Sequence, residues 1–207
     1  MTAITINFNS IIEISDEQFY QLCTQNPEIQ FERNCEGEIL IMPPTGGETG
    51  KRNTNLIVQL AIWNQQAKLG EVFDSSTGYK LPNGANRSPD VSWIQQERWD
   101  SLTLEQKEKF IPLAPDFVLE LMSPTDYLIN TQAKMTSDPA SSEGARERAR
   151  MREYLENQVK LGWLINPQAK QVEIYRLGQE AKLLNSPQLI SGEDILPGFV
   201  LDLTGIF

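Results

Sequence analysis

A chain of 207 residues with 40% hydrophobic and 22% charged side chains has the size and composition of one soluble globular domain, and nothing in it reads as a hinge between two. A formal net charge of −10 argues against broad binding to nucleic acid, which needs a positive field to displace counterions, and leaves only a local basic cleft for such a role. The absence of histidine excludes Ser-His-Asp and Cys-His triads, His-ligated zinc and a histidine general base, so acid–base chemistry falls to Asp, Glu, Lys, Tyr or water on a metal. Cys23 and Cys35 have no partner motif and read as buried or incidental thiols. Met1 to Ser10 lacks a basic and apolar leader pattern, and no stretch has the length that spans a bilayer. A cytoplasmic protein with no membrane partner is the expectation.

In chain order, Ser15-Asp16-Glu17-Gln18 predicts a helix start, with Ser15 as N-cap and Gln18 completing a capping box. Phe31 to Met42 predicts a hairpin turning near Glu36-Gly37. After Pro43-Pro44-Thr45-Gly46-Gly47, Glu48 leads into a helix whose Leu56, Ile57, Leu60, Ala61 and Trp63 recur at helical spacing, with Gly70 as its stop. From Gly70 to Ile94 the pattern is β, with a turn at Pro82-Asn83-Gly84. Gln95 to Phe110 reads as a polar connection with a short helix. Two further strands meet around Asn166-Pro167, and the apolar tail from Ile195 to Leu203 should dock on the core. Together these predict a mixed α/β domain with a central sheet flanked by helices.

Two strand-like segments carry an acidic residue inside an apolar run: Ser88-Pro89-Asp90-Val91-Ser92-Trp93-Ile94 and Asp116-Phe117-Val118-Leu119-Glu120-Leu121-Met122. A carboxylate in such a run is costly unless paired, hydrogen-bonded or bound to a cation. Two of them suggest a hard-metal site of the kind Mg²⁺ or Mn²⁺ occupies. The rival readings are structural. Asp90 after Pro89 would cap a turn, Glu120 would pair with an arginine such as Arg87, and Glu48 would be a helix-start carboxylate favoured by the macrodipole. Asp116 reads as a strand-entry residue, and Arg146, Arg148, Arg150 and Arg152 as a solvated helix face pairing with Glu143, Glu147 and Glu153.

One stretch interrupts the pattern. Joining Met135 directly to Arg152 would give an uninterrupted helix, so residues 136–151 read as an insertion, flanked by the loose echo of Gln132-Ala133-Lys134-Met135 in Arg148-Ala149-Arg150-Met151.

These residues carry a resemblance. Gly78 to Gly84, Ser88-Pro89-Asp90, Pro115 to Pro124, Gly162-Trp163-Leu164-Ile165-Asn166-Pro167 and Leu196-Pro197-Gly198-Phe199 resemble, in order and over nearly the whole chain, the Uma2 family of restriction-endonuclease-like proteins abundant in cyanobacteria. The resemblance implies a restriction-endonuclease-like fold of the PD-(D/E)xK superfamily, here with an added N-terminal hairpin and C-terminal strands. It implies metal-dependent hydrolysis of phosphodiester bonds in DNA with Mg²⁺ or Mn²⁺. Asp90 and Glu120 then match the first two motif elements and serve catalysis and metal binding. Glu48 matches the acidic residue that many such nucleases place beside the metal. The third element departs from the pattern, because Met122 stands where the signature has lysine. Lys134 and Arg150 each precede a methionine and compete for that role: Lys134 keeps the residue type and Arg150 the spacing to Tyr154. A catalytically weak or inactive protein that binds nucleic acid or a protein partner is the alternative, and a homodimer is left open.

Overall fold

The computed structural model describes residues 4–8, 11–123 and 144–207. Its centre is a six-stranded sheet in the order β11-β10-β9-β8-β7-β4, made of β4 (Gly70–Asp74), β7 (Val91–Gln95), β8 (Phe117–Leu121), β9 (Leu161–Asn166), β10 (Gln171–Arg176) and β11 (Lys182–Asn185). Only β8 and β9 run parallel; the other neighbours are antiparallel. A parallel pair cannot be closed by a tight turn and needs a crossover. That connection carries the helix α5 (Ala145–Glu156) back across one face of the sheet, against β9 and β10.

The strand β8 reads as a continuous apolar run because both of its faces are covered. Phe117, Leu119 and Leu121 point into one core with Leu56 and Leu60 of the long helix α2 (Gly47–Ala67), while Val118 and the following Met122 point into a second core with Met151 and Tyr154 of α5. The tail docks on the α2 side as expected. Trp163 of β9 meets Phe117 edge-on at 4.9 Å and stacks on Phe199 at 6.0 Å, which pins the C-terminal ribbon β12 (Leu189–Ser191) and β13 (Val200–Asp202) to the sheet. Burial of each such side chain contributes about 1.5–3 kcal/mol.

A second, antiparallel sheet in the order β1-β3-β2-β6-β5 sits beside the first. It comprises β1 (Ile4–Ile6), the expected hairpin of β2 (Gln30–Arg33) and β3 (Ile39–Met42), and the short β5 (Tyr79–Lys80) and β6 (Asn86–Arg87). The helix α1 (Asp16–Gln25) starts on the expected capping box: the Gln18 backbone N–H donates to Ser15 Oγ, and the Ser15 N–H donates to Gln18 Oε1 at 2.9 Å. The polar stretch after β7 holds two short helices, α3 (Gln96–Asp100) and α4 (Leu104–Glu108), where one was expected.

Two expectations need correction. Gly70 does not stop α2: Lys68 does, in the left-handed conformation (φ 52°), its N–H donating to the Asn64 carbonyl at 2.7 Å. Gly70 instead opens β4 in a place with no room for a side chain, since a Cβ there would lie 2.1 Å from the Ile94 carbonyl oxygen and 2.5 Å from the Trp93 ring. Cys35 is exposed and Cys23 half-buried, which leaves both as incidental free thiols rather than core residues. Finally, the arginines of α5 are only half a solvated face: Arg146 and Arg152 are exposed, and the other two are not. Arg148 reaches across to Glu173 on β10, and Arg150 turns inward, because the first two turns of this helix lie over charged strand ends. Residues 145–151 of the expected insertion are thus regular helix, and residues 136–143 lie outside the described part. Among the described residues no helix is long and apolar enough to cross a membrane.

Candidate active site

The break between β6 and β7 falls at Ser88-Pro89-Asp90, where proline removes a backbone donor and the chain leaves one sheet for the other. The register that pairs Val91 with Leu119 places Asp90 opposite Glu120, just past the last ladder pair. Asp90 occupies the end of the ladder with its side chain. Its Oδ2 accepts from the Leu121 N–H at 2.8 Å, and its Oδ1 accepts from Asn53 Nδ2 of α2 at 3.1 Å.

Glu120 shares a strand face with Val118 and Met122 and meets α5 there. Its Oε1 accepts from the Tyr154 hydroxyl at 2.8 Å, and Arg150, one helical turn before Tyr154, brings Nη1 to 3.4 and 3.5 Å from the two carboxylate oxygens. Arg150 is held more tightly by Glu32 of β2, with Nη2 to Oε2 at 2.8 Å. The arginine that pairs with Glu120 is therefore Arg150, not Arg87. Arg87 joins Glu32 at 3.2 Å and Glu153 at 2.7 Å.

Burial pushes the Glu120 carboxyl up to about 8; Arg150 opposes the rise, whereas Asp90 and Glu32 add to it. Asp90 moves in the same direction for the same leading reason, with the Leu121 N–H and Arg150 working against it. Burial works against the Arg150 charge, but Glu32 and Glu120 outweigh it, and the guanidinium stays protonated throughout the accessible range.

These groups open into a cleft of about 850 Å³, lined among others by Asn53, Ser88, Thr49 and Arg146. Glu48, in the first turn of α2, lines the same cleft and is exposed to solvent. Asp90, Glu120, Glu48 and Arg150 thus come to one place, and Lys134 lies outside the described residues. Among the described lining residues, five carboxylates (Glu32, Glu48, Asp90, Glu120, Glu147) face two guanidinium groups (Arg146, Arg150), and there is no lysine. No group of three or more acidic or cysteine side chains is drawn together tightly enough to form a metal cluster among the described residues. Asp116 is held away from this cleft, at the other end of β8, by Arg98 and Lys160.

Two residues of the site escape the sequence reading. Asn53 had a legible signal, since Thr49, Asn53, Leu56 and Leu60 follow one helical stripe whose polar end points at the cleft. Glu32 had almost none, because its partners lie 55 and 118 residues away in the chain.

The arrangement is a mixed α/β fold in which two carboxylates face each other at the ends of two central strands. Residues 16–204 match the family model Uma2, described as "Putative restriction endonuclease". The chain belongs to the Uma2 family. Among solved structures it resembles a "putative nuclease belonging to DUF820" from Anabaena variabilis ATCC 29413, with a TM-score of 0.66 at 18% identity over 87% of this chain and 90% of that one. That likeness establishes a shared fold. No curated protein matches the sequence.

Proposed function

We propose that this protein is a nuclease that hydrolyses phosphodiester bonds in DNA with the aid of Mg²⁺ or Mn²⁺. The observation that carries the reading is the facing of Asp90 and Glu120 one position past the last ladder pair of β7 and β8, in an acidic cleft beside Arg150. Two carboxylates so placed disfavour each other's ionisation, and a hard divalent cation relieves that cost. Such ions commonly take one or two protein carboxylates and fill the remaining positions with water and phosphate oxygens. The residues present therefore fit the ion, with Asp90 and Glu120 as its ligands and Glu48 at the rim as a further candidate. When bound, the cation would supply a more acidic water and neutralise charge on the phosphate.

The chain's own residues supply the rest. Asn53 and the Leu121 N–H fix the Asp90 carboxylate, and Tyr154 fixes that of Glu120. Arg150 faces the cleft as a permanent cation, suited to a non-bridging phosphate oxygen but unable to act as a base. Lys134 is the rival for the lysine role.

A second reading, a nuclease fold that binds nucleic acid without cutting it, is favoured by one observation: the spacing to Tyr154 is kept by an arginine engaged with Glu32 and Glu120. The test is calorimetric titration of Mn²⁺ alongside cleavage of supercoiled plasmid and of a labelled oligonucleotide. Native protein should bind Mn²⁺ and cut, and Asp90→Asn should do neither. Comparing Lys134→Ala with Arg150→Ala assigns the third role. Mn²⁺ uptake and DNA retention without cleavage would favour the binding protein, and cleavage by Asp90→Asn at the native rate would sink the nuclease site.

A further inference from the structure

Glu32 has no place in the two-carboxylate scheme, yet it is the most deeply buried charge at the cleft, at 1% exposure. The alternation of β2 turns it inward, and three donors hold it there: the Ser88 N–H at 3.0 Å, Arg87 Nη1 at 3.2 Å and Arg150 Nη2 at 2.8 Å. Arg87 is itself tied to Glu153, so the Glu32 carboxylate is fixed from both the second sheet and α5. Arg150 is shared unequally. Its contact with Glu32 has the length of a good charge-assisted hydrogen bond, whereas its 3.4 and 3.5 Å contacts with Glu120 lie beyond that range.

We infer that Glu32 is a positioning residue: it holds the Arg150 guanidinium back from Glu120 and so keeps that carboxylate open to a divalent cation. The inference rests on the metal-dependent reading above. A guanidinium that lost Glu32 would still face Glu120 and Asp90 across a poorly solvated cleft. It would close on Glu120, where a fork-on-carboxylate pair is the strongest arrangement open to it. A divalent cation would then have to break that pair to bind. With Glu32 in place, Glu32 and Arg150 neutralise each other, and the Asp90–Glu120 edge is left for the ion. The effect of Glu32 on metal binding must therefore pass through Arg150. A Glu32 that acted as a ligand, or through its field alone, would not depend on Arg150.

A double-mutant cycle read by Mn²⁺ calorimetry separates these cases without recourse to activity. The full-length native chain, Glu32→Gln, Arg150→Gln and the double variant are titrated at one pH and ionic strength. Glu32→Gln should bind Mn²⁺ about tenfold more weakly and Arg150→Gln about tenfold more tightly, with the double variant matching Arg150→Gln within about twofold, since coupled residues are non-additive. A Glu32→Gln loss that persists at full size in the Arg150→Gln background overturns the inference, as does an unchanged affinity in Glu32→Gln itself. If Glu32→Gln does not fold, as judged by its circular dichroism melt, Arg150→Gln decides alone, and an affinity equal to or weaker than native overturns the inference. Native protein that takes up no Mn²⁺ overturns the metal reading itself, and this inference with it.

Discussion

The two ends of strand β8 hold two buried carboxylates, and their surroundings could hardly differ more. Asp116, 1% exposed, lies at the N-terminal end between two cations: Arg98 at 2.8 Å from Oδ2 and Lys160 at 2.8 Å from Oδ1, the latter an ion-pair contact rather than an aligned hydrogen bond. Its Oδ2 also accepts from the Gln95 N–H at 2.9 Å. Glu120, 6% exposed, lies four residues on at the C-terminal end. Among the described residues it has one close donor, Tyr154, a cation held at arm's length, and two acidic neighbours, Glu32 and Asp90. The first carboxylate is compensated by protein and stabilises the entry to the strand. Among the described residues the second is left short of positive charge, as a carboxylate with a further task would be.

The contrast is broken most severely by exchanging charge for an isosteric amide at each end. Glu120→Gln should lower Mn²⁺-dependent DNA cleavage by at least about a hundredfold, the usual scale for losing one electrostatic element of a site, while Asp116→Asn leaves cleavage per folded molecule near native. Equal losses in both variants would erase the distinction.

The next largest effect is on stability, and it runs the other way. Asp116→Asn leaves Arg98 and Lys160 facing a neutral group; because both cations are partly exposed, the cost should be about 2 kcal/mol rather than the full penalty of a buried pair. Glu120→Gln keeps an acceptor for Tyr154 and removes a carboxyl whose ionisation burial disfavours, so the midpoint of urea unfolding should stay level or rise. Urea denaturation of both variants checks the pair.

A pH titration of stability sharpens the comparison further. Glu120 holds its proton in the folded protein up to about 8, whereas in the unfolded chain it releases it near 4.5. Between those values the folded state binds more protons, so the metal-free protein should lose stability as pH rises from 5 to 8, on the order of 3–4 kcal/mol, until a cation takes the proton's place. The fall should shrink in Glu120→Gln to the part that the raised Asp90 carboxyl contributes, and Mn²⁺ affinity should climb over the same window.

The smallest effect belongs to Tyr154→Phe. It removes the one close hydrogen bond to Glu120 and should cost about 1 kcal/mol. Because that bond favours the ionised carboxylate, its loss should push the pH-dependent fall in melting temperature toward higher pH.

Short-range patterns carried much of the fold into the sequence. The Ser15 and Gln18 capping box, the β2–β3 hairpin, the apolar stripe of α2 and the paired apolar strands are set by interactions within a few residues, where propensity and periodicity act. The family, too, was readable from separated motifs in order. Asp90 and Glu120 stood out because a carboxylate in an apolar run is costly wherever the strand ends up. Residues that look ordinary in sequence had no such mark: Lys68 as a left-handed helix cap, Glu32 in a hairpin, and arginines on an apparently polar helix.

The sequence by itself therefore determined which segments are helices and strands, which two strands carry a misplaced charge, and which family the chain belongs to. The tertiary structure alone decided what those charges meet. The crossover between β8 and β9 swings α5 over the strand ends and brings Arg150 to Glu32, 118 residues apart, and to Glu120. Packing likewise fixed the difference between a compensated Asp116 and an exposed need at Glu120. The physical reason is range. Hydrogen-bond capping and side-chain periodicity are written in neighbouring residues, whereas the balance of a buried charge depends on every group that folding places within a few ångströms of it.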